Sequence, residues 1–145
     1  MNREIKFRAK RLDNGEWAYG SGVVFCDDFC FLDKNDECYI EELYTFRGNT
    51  HFIKLACIQC DDKTIGQYIG LRDNRGREIY EGDIVESIGG SVGYVVFLLQ
   101  EMGYVIVWDN CDTRLGHRNR GGGYEDDPSI EVVGNIYDNK ELLKK

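Results

Sequence analysis

The sequence predicts a mainly β protein with little helix, and three observations carry that expectation. Aromatic residues are abundant, with nine Tyr, seven Phe and two Trp, and such side chains favour half-buried pleated surfaces. A single proline stands among 17 glycines, so turns must come from Gly, Asn and Asp. The opening residues alternate with a period of two, and short aromatic and β-branched runs follow between tight turns. Together these predict a small barrel in the C-terminal half, residues 63–145, packed with an N-terminal strand-rich region over residues 1–62.

Taken in order, Ile5, Phe7 and Ala9 alternate with Glu4, Lys6, Arg8 and Lys10, which reads as a strand with one apolar face. Asp13-Asn14-Gly15 is a hairpin signal, and the chain returns through Glu16-Trp17-Ala18-Tyr19. Gly22–Cys26 reads as another strand. The acidic stretch Asp27–Glu42 reads as short strands or loop, and Thr50–Cys57 as one further strand. Asp61-Asp62 marks a break.

Ile65–Leu71 then leads into the turn Asp73-Asn74-Arg75-Gly76 and out through Arg77–Tyr80. Glu81-Gly82-Asp83 is a second turn, opening the strand Ile84–Ile88. Gly93–Phe97 is echoed by Gly103–Trp108, a hairpin buried on at least one face. Asp109–Pro128 is a polar, glycine-rich insertion. A last strand runs over Ile130–Tyr137, and Asp138-Asn139 can cap a short helical turn in which Leu142 and Leu143 pack back. Five short strands with tight turns favour a closed barrel, because closure removes exposed edges.

The formal charge is −8, from 18 basic and 26 acidic residues. Nucleic-acid backbones and anionic membranes repel such a chain unless its bases are concentrated locally. No apolar run reaches the ~20 residues of a membrane helix, and the charged start lacks a secretory apolar stretch. The six cysteines (26, 30, 38, 57, 60 and 111) are therefore expected to be reduced, in the cytoplasm.

A set of segments resembles one family. Ile5-Lys6-Phe7-Arg8-Ala9, Thr64–Leu71, Glu78–Val85, Glu131–Tyr137 and Glu141-Leu142-Leu143 are similar, in that order, to the YopX-like proteins of bacteriophages and prophages. The resemblance implies a C-terminal barrel of the SH3-like type and a bacterial host. It brings no catalytic residue, cofactor or substrate. Lys10 and Arg11 depart from the aromatic and acidic residues of the family pattern. Within these segments Gly66, Gly70, Gly76 and Gly82 fall beside turns or strand ends, and Gly134, inside a strand pattern, suggests a bulge or tight packing.

Cys57-Ile58-Gln59-Cys60 has zinc-knuckle spacing, and Cys26 with Cys30 could supply a second pair. Residues three apart on a strand face opposite sides, so strand or core cysteines are the expectation, with no metal site. A redox dithiol would need a helix after the first cysteine, and none is written. Neither His51 nor His117 can be placed beside a nucleophile, and the paired acids are adjacent in sequence, which splits them across a strand. No catalytic residue, cofactor or enzyme activity is expected.

The insertion Arg114–Gly123 is the dense basic cluster of the C-terminal half. Arg114, His117, Arg118 and Arg120 are candidate contacts for a phosphate or an acidic partner, against the plainer reading of a solvated loop balanced by Glu125, Asp126 and Asp127. The strand bases Lys6, Arg8, Lys10 and Arg11 are a second place for an anion, against the plainer reading of a wet strand face. The functional expectation is a phage or prophage accessory protein, a non-enzymatic protein-interaction module binding a host or phage protein or itself. The alternatives are a nucleic-acid-associated factor using the basic glycine-rich loop, and an acidic decoy imitating DNA.

Overall fold

Alternation in the first hairpin sets its two faces. The strand β1 (Phe7–Lys10) pairs antiparallel with β2 (Trp17–Gly20), Ala9 opposite Ala18 on one side and Arg8 opposite Tyr19 on the other. The computed structural model describes residues 4–25, 30–33, 40–46, 49–54, 57–109, 112–114 and 129–144. Among them the protein is mainly β, antiparallel throughout, with two short 3-10 turns as its helix. The chain divides into two units, Ile5–Gln67 and Tyr68–Lys145 with Met1–Glu4.

In the first unit β3 (Gly22–Phe25) follows β2 after one residue, Ser21, and pairs with β4 (Cys30–Asp33). A separate ladder joins β5 (Ile40–Phe46) to β6 (Asn49–Lys54). The strand β7 (Cys57–Cys60) pairs with β4, so the run expected as one strand over 50–57 is two. Backbone bonds from Leu12 N to Gln59 O (3.1 Å) and from Asp61 N to Lys10 O (2.8 Å) bridge Arg11 to Cys60. Ala9, Ala18 and Cys60 are buried together, with Phe7, Val23, Ile58 and Ile65 packed around them. A 3-10 turn over Asp62–Thr64 is capped by the Asp61 carboxylate, which accepts from Lys63 N. The first two residues of β8 (Gly66–Arg72) pair with β1.

The second unit contains every strand written in the sequence between residues 77 and 108. They are β9 (Glu78–Tyr80), β10 (Asp83–Ser87), β11 (Val92–Leu98) and β12 (Gly103–Trp108). Two more follow, β13 (Asp112–Arg114) inside the polar insertion and β14 (Ile130–Asn135). The sheet order is β13-β12-β11-β10-β14, and among the described residues no ladder joins β13 to β14. The core holds Ile79, Val85, Val95, Ile106 and Ile130. A 3-10 turn over Lys140–Lys144 closes the chain, with Leu142 N donating to Asn139 O at 2.9 Å.

Gly134 sits where the expected bulge falls: Ile84 pairs with Gly134 but Val85 with Val132, leaving Val133 over. A Cβ at Gly134 would lie 2.6 Å from Asn139 Oδ1, so the side chain of the closing turn occupies that space. Gly93 is tighter still, because a Cβ there would meet the Val107 carbonyl oxygen at 2.6 Å and the Trp108 ring at 2.7 Å.

The Asp73–Gly76 turn is fastened by its first residue. The Asp73 side chain is fully buried. Its Oδ1 accepts from Arg75 N (2.9 Å) and Arg77 N (2.8 Å), and its Oδ2 from Arg77 Nε (2.9 Å) and Val132 N (3.0 Å). Burial pushes this carboxyl up, but the Val132, Arg77 and Arg75 backbone donors and the Arg77 charge outweigh it and hold it below the usual carboxylate value.

Gly93→Ala should destabilise the protein by roughly 1–3 kcal/mol in urea unfolding, since backbone cannot yield as a flexible side chain does. Asp73→Asn should cost roughly 2 kcal/mol at pH 7. The folded pKa of Asp73 lies below the unfolded value of about 3.9. Its stabilisation is therefore complete above that value and is lost as pH falls through the folded one. The gap between wild type and Asp73→Asn should narrow below about pH 4.

Candidate functional site

The sequence-predicted residues divide between described and undescribed positions. Arg114 ends β13, its Cα opposite Val105. His117, Arg118 and Arg120 lie outside the described residues, as does Cys26. Cys60 pairs in register with Cys30, and Cys57 with Asp33. The Cys60 thiol is fully buried and donates to Ile58 O at 3.4 Å. Among the described residues no three His, Cys, Asp or Glu side chains are grouped to hold a metal ion.

Two of the strand bases, Arg8 and Lys10, converge on one ring. Residues 6–20 carry Lys6, Arg8, Lys10 and Arg11 against Asp13 and Glu16, a local charge of +2 in a chain of −8. The β1–β2 register sets Lys10 opposite Trp17 and Arg8 opposite Tyr19. The Arg8 guanidinium carbon lies 4.5 Å from the Trp17 ring centroid and the Lys10 ammonium 5.5 Å from it, both within range of cation–ring attraction. Arg8 is buried, whereas Tyr19 is 50% exposed.

Beside these rings is a cavity of about 200 Å³ lined by Arg11, Glu16, Trp17, Ala18, Tyr19 and Ile58. Ala18 and Ile58 belong to the apolar cluster of this unit. Arg11 is oriented at the cavity from both ends. Its N–H donates to Glu16 O at 2.9 Å, and its Nε donates to Asp13 Oδ1 at 2.8 Å. The hydrogen bond from Arg11 holds the Asp13 carboxyl below the usual carboxylate range. The turn itself is closed by Asn14 Oδ1, which accepts from Glu16 N at 2.9 Å. The cavity is smaller than the ~300–1,000 Å³ usual for cofactors and drug-sized ligands. It has room for one large side chain.

The alternation of bases in β1 was the sequence signal for this face, and a wet strand would produce the same pattern. What the sequence does not show is the register that stacks Trp17 between Arg8 and Lys10.

The YopX protein family profile matches residues 6–144. The chain belongs to the YopX protein family. A search of curated proteins returns no match. Among solved structures, protein EF1440 from Enterococcus faecalis is similar at 23% identity, with a TM-score of 0.57 over 96% of this chain and 97% of that one. That likeness shows the shared fold.

The YopX-like segments occupy the interior and its turns. Ile79, Tyr80, Asp83, Ile84 and Val85 are all buried, and Asp83 Oδ2 accepts from Tyr80 N at 2.8 Å. Asn135 Oδ1 accepts from both Tyr137 N and Asp138 N at 3.0 Å. Tyr80 packs at 5.6 Å on Tyr68, and its hydroxyl donates to Glu78 Oε2 at 2.7 Å. These family residues specify a shape.

Trp17→Ala removes both cation–ring contacts and should lower the unfolding free energy by about 2 kcal/mol. Trp17→Phe should recover part of that in the same urea titration.

Proposed function

We propose that the protein is a non-enzymatic protein-interaction module encoded by a bacteriophage or prophage and working in the bacterial cytoplasm. Its β1–β2 face takes an acidic partner segment that carries a large apolar side chain. The observation that carries this reading is the pair of cations held over one ring, Arg8 at 4.5 Å and Lys10 at 5.5 Å from Trp17, beside a cavity of about 200 Å³ lined by Arg11, Glu16, Trp17, Ala18, Tyr19 and Ile58, in a local excess of positive charge on a net-acidic chain. The cavity seats an apolar side chain beside Ala18 and Ile58, and the cations of the hairpin select the partner and speed its arrival. The −8 charge disfavours a phosphate backbone as the occupant.

Two finer points belong to the same reading. The second unit closes as an SH3-like barrel, supported by its five-stranded antiparallel sheet with a bulge at Val133. The basic insertion, with Arg114, His117, Arg118 and Arg120, is a second contact for acidic partners, supported by the density of Arg in residues 114–120.

The experiment uses hexapeptides that alternate glutamate with leucine or methionine, and controls with lysine for glutamate or serine for the apolar residue. In a Trp108→Phe background, Trp17 is the remaining tryptophan reporter. Its fluorescence should respond to the acidic apolar peptides alone, weaken about tenfold in affinity between about 50 and 500 mM salt, and stop responding after Arg11→Glu. Equal responses to the lysine or serine peptides, or none to any, would sink the assignment.

A further inference from the structure

We infer that Asn14 is a self-modification site: in the folded protein the nitrogen of Gly15 attacks its side-chain amide, and the asparagine is converted, with loss of ammonia, to isoaspartate and aspartate. The inference is independent of what the β1–β2 face binds.

Asn14-Gly15 is the one Asn-Gly pair in the sequence. It lies at the tip of the β1–β2 hairpin, where residues 12–16 are all exposed. Closure of a side chain onto the next backbone nitrogen is ordinarily hindered by the following side chain, and glycine has none. A Cβ built at Gly15 would meet nothing within 4 Å, so the space beside it is open.

The Asn14 side chain is held forward over Gly15. Its Oδ1 accepts from Glu16 N at 2.9 Å, and its Nδ2 donates to Glu16 Oε2 at 3.1 Å. Both bonds reach two residues on, so the amide spans the residue whose nitrogen is the nucleophile. Each bond also matches a charge that develops during the attack. As Gly15 N bonds to Asn14 Cγ, Oδ1 becomes negative, and the Glu16 N–H already points at it. The proton given up by Gly15 N reaches Nδ2 through water, and the positive charge on Nδ2 then faces the Glu16 carboxylate. The Cγ–Nδ2 bond breaks, ammonia leaves, and a succinimide ring remains. Water opens the ring at either carbonyl. One opening gives aspartate, and the other gives isoaspartate, with the main chain rerouted through the former side chain. One water is consumed and one ammonia released, with no oxidant.

The restraint on this chemistry is the donation of Gly15 N to Arg11 O at 3.0 Å, which must open first. That bond stands at a hairpin end in water, where local opening requires least. The product adds one negative charge, taking the local charge of residues 6–20 from +2 to +1.

Peptide mapping by mass spectrometry of the full chain, held for days at mildly alkaline pH, tests this. Residue 14 should gain about 1 Da as the amide becomes a carboxyl, ahead of Asn74, Asn135 and Asn139, and an isoaspartyl methyltransferase should label it. Glu16→Gln keeps the backbone donor to Oδ1 and removes the carboxylate. It should slow the conversion about threefold, a small factor because the pair is in water. Glu16 is exposed, so the variant should keep the wild-type urea midpoint. In urea, with the hairpin gone, the two proteins should convert at one rate. Asn14 intact while other asparagines convert, equal rates for the two folded proteins, or a difference that persists in urea overturns the inference.

Discussion

The second unit is tied together at the buried carboxylate of Asp73. Asp73 brings a carboxylate to full burial and surrounds it with three backbone N–H donors and the Arg77 guanidinium. One donor, Val132 N, belongs to a strand about sixty residues away, so the turn between β8 and β9 and the last strand of the sheet are fixed together. Glu131 repeats the tie from the other side, accepting from Arg75 Nε at 3.0 Å and Arg77 at 3.1 Å. A buried carboxylate is tolerable only when its acceptor sites are met, which makes this contact all-or-none. The bulge at Val133 and the close approach of Asn139 to Gly134 follow from a strand held at that point.

The first unit is organised differently. Its small interior, Ala9, Ala18 and Cys60, leaves the opposite face of the same hairpin to carry the chain's concentrated positive charge. The strand period that buries Ala9 also delivers Arg8 and Lys10 to Trp17. Fold and candidate site are thus two consequences of one alternation. The cavity wall shares Ala18 and Ile58 with the apolar cluster, which gives it a rigid backing.

Much of this was legible in the sequence, and the reasons are specific. Period two identified β1, and short aromatic or β-branched runs between glycine and aspartate turns identified β2, β3, β8, β9, β10, β11, β12 and β14. The closing turn at Leu142 was visible from its cap residues. The strand β7 was obscured because its four residues hold too little alternation, and its cysteine spacing suggested a ligand set. Pairing with β4, a long-range property, makes it a strand. The short polar β13 draws its identity from β12 in the same way. Strand number did not decide closure, since that depends on whether the two end strands meet. The contacts of Arg8 and Lys10 with Trp17 needed a register.

The sealed thiol of Cys60 has one more implication. With its sulfur wholly inside and hydrogen-bonded to the Ile58 carbonyl, it can meet an alkylating reagent only when the surrounding strands part. The rate at which that cysteine is modified is then a clock for breathing motions of the N-terminal unit, set by the protein's fluctuations more than by the chemistry of the probe.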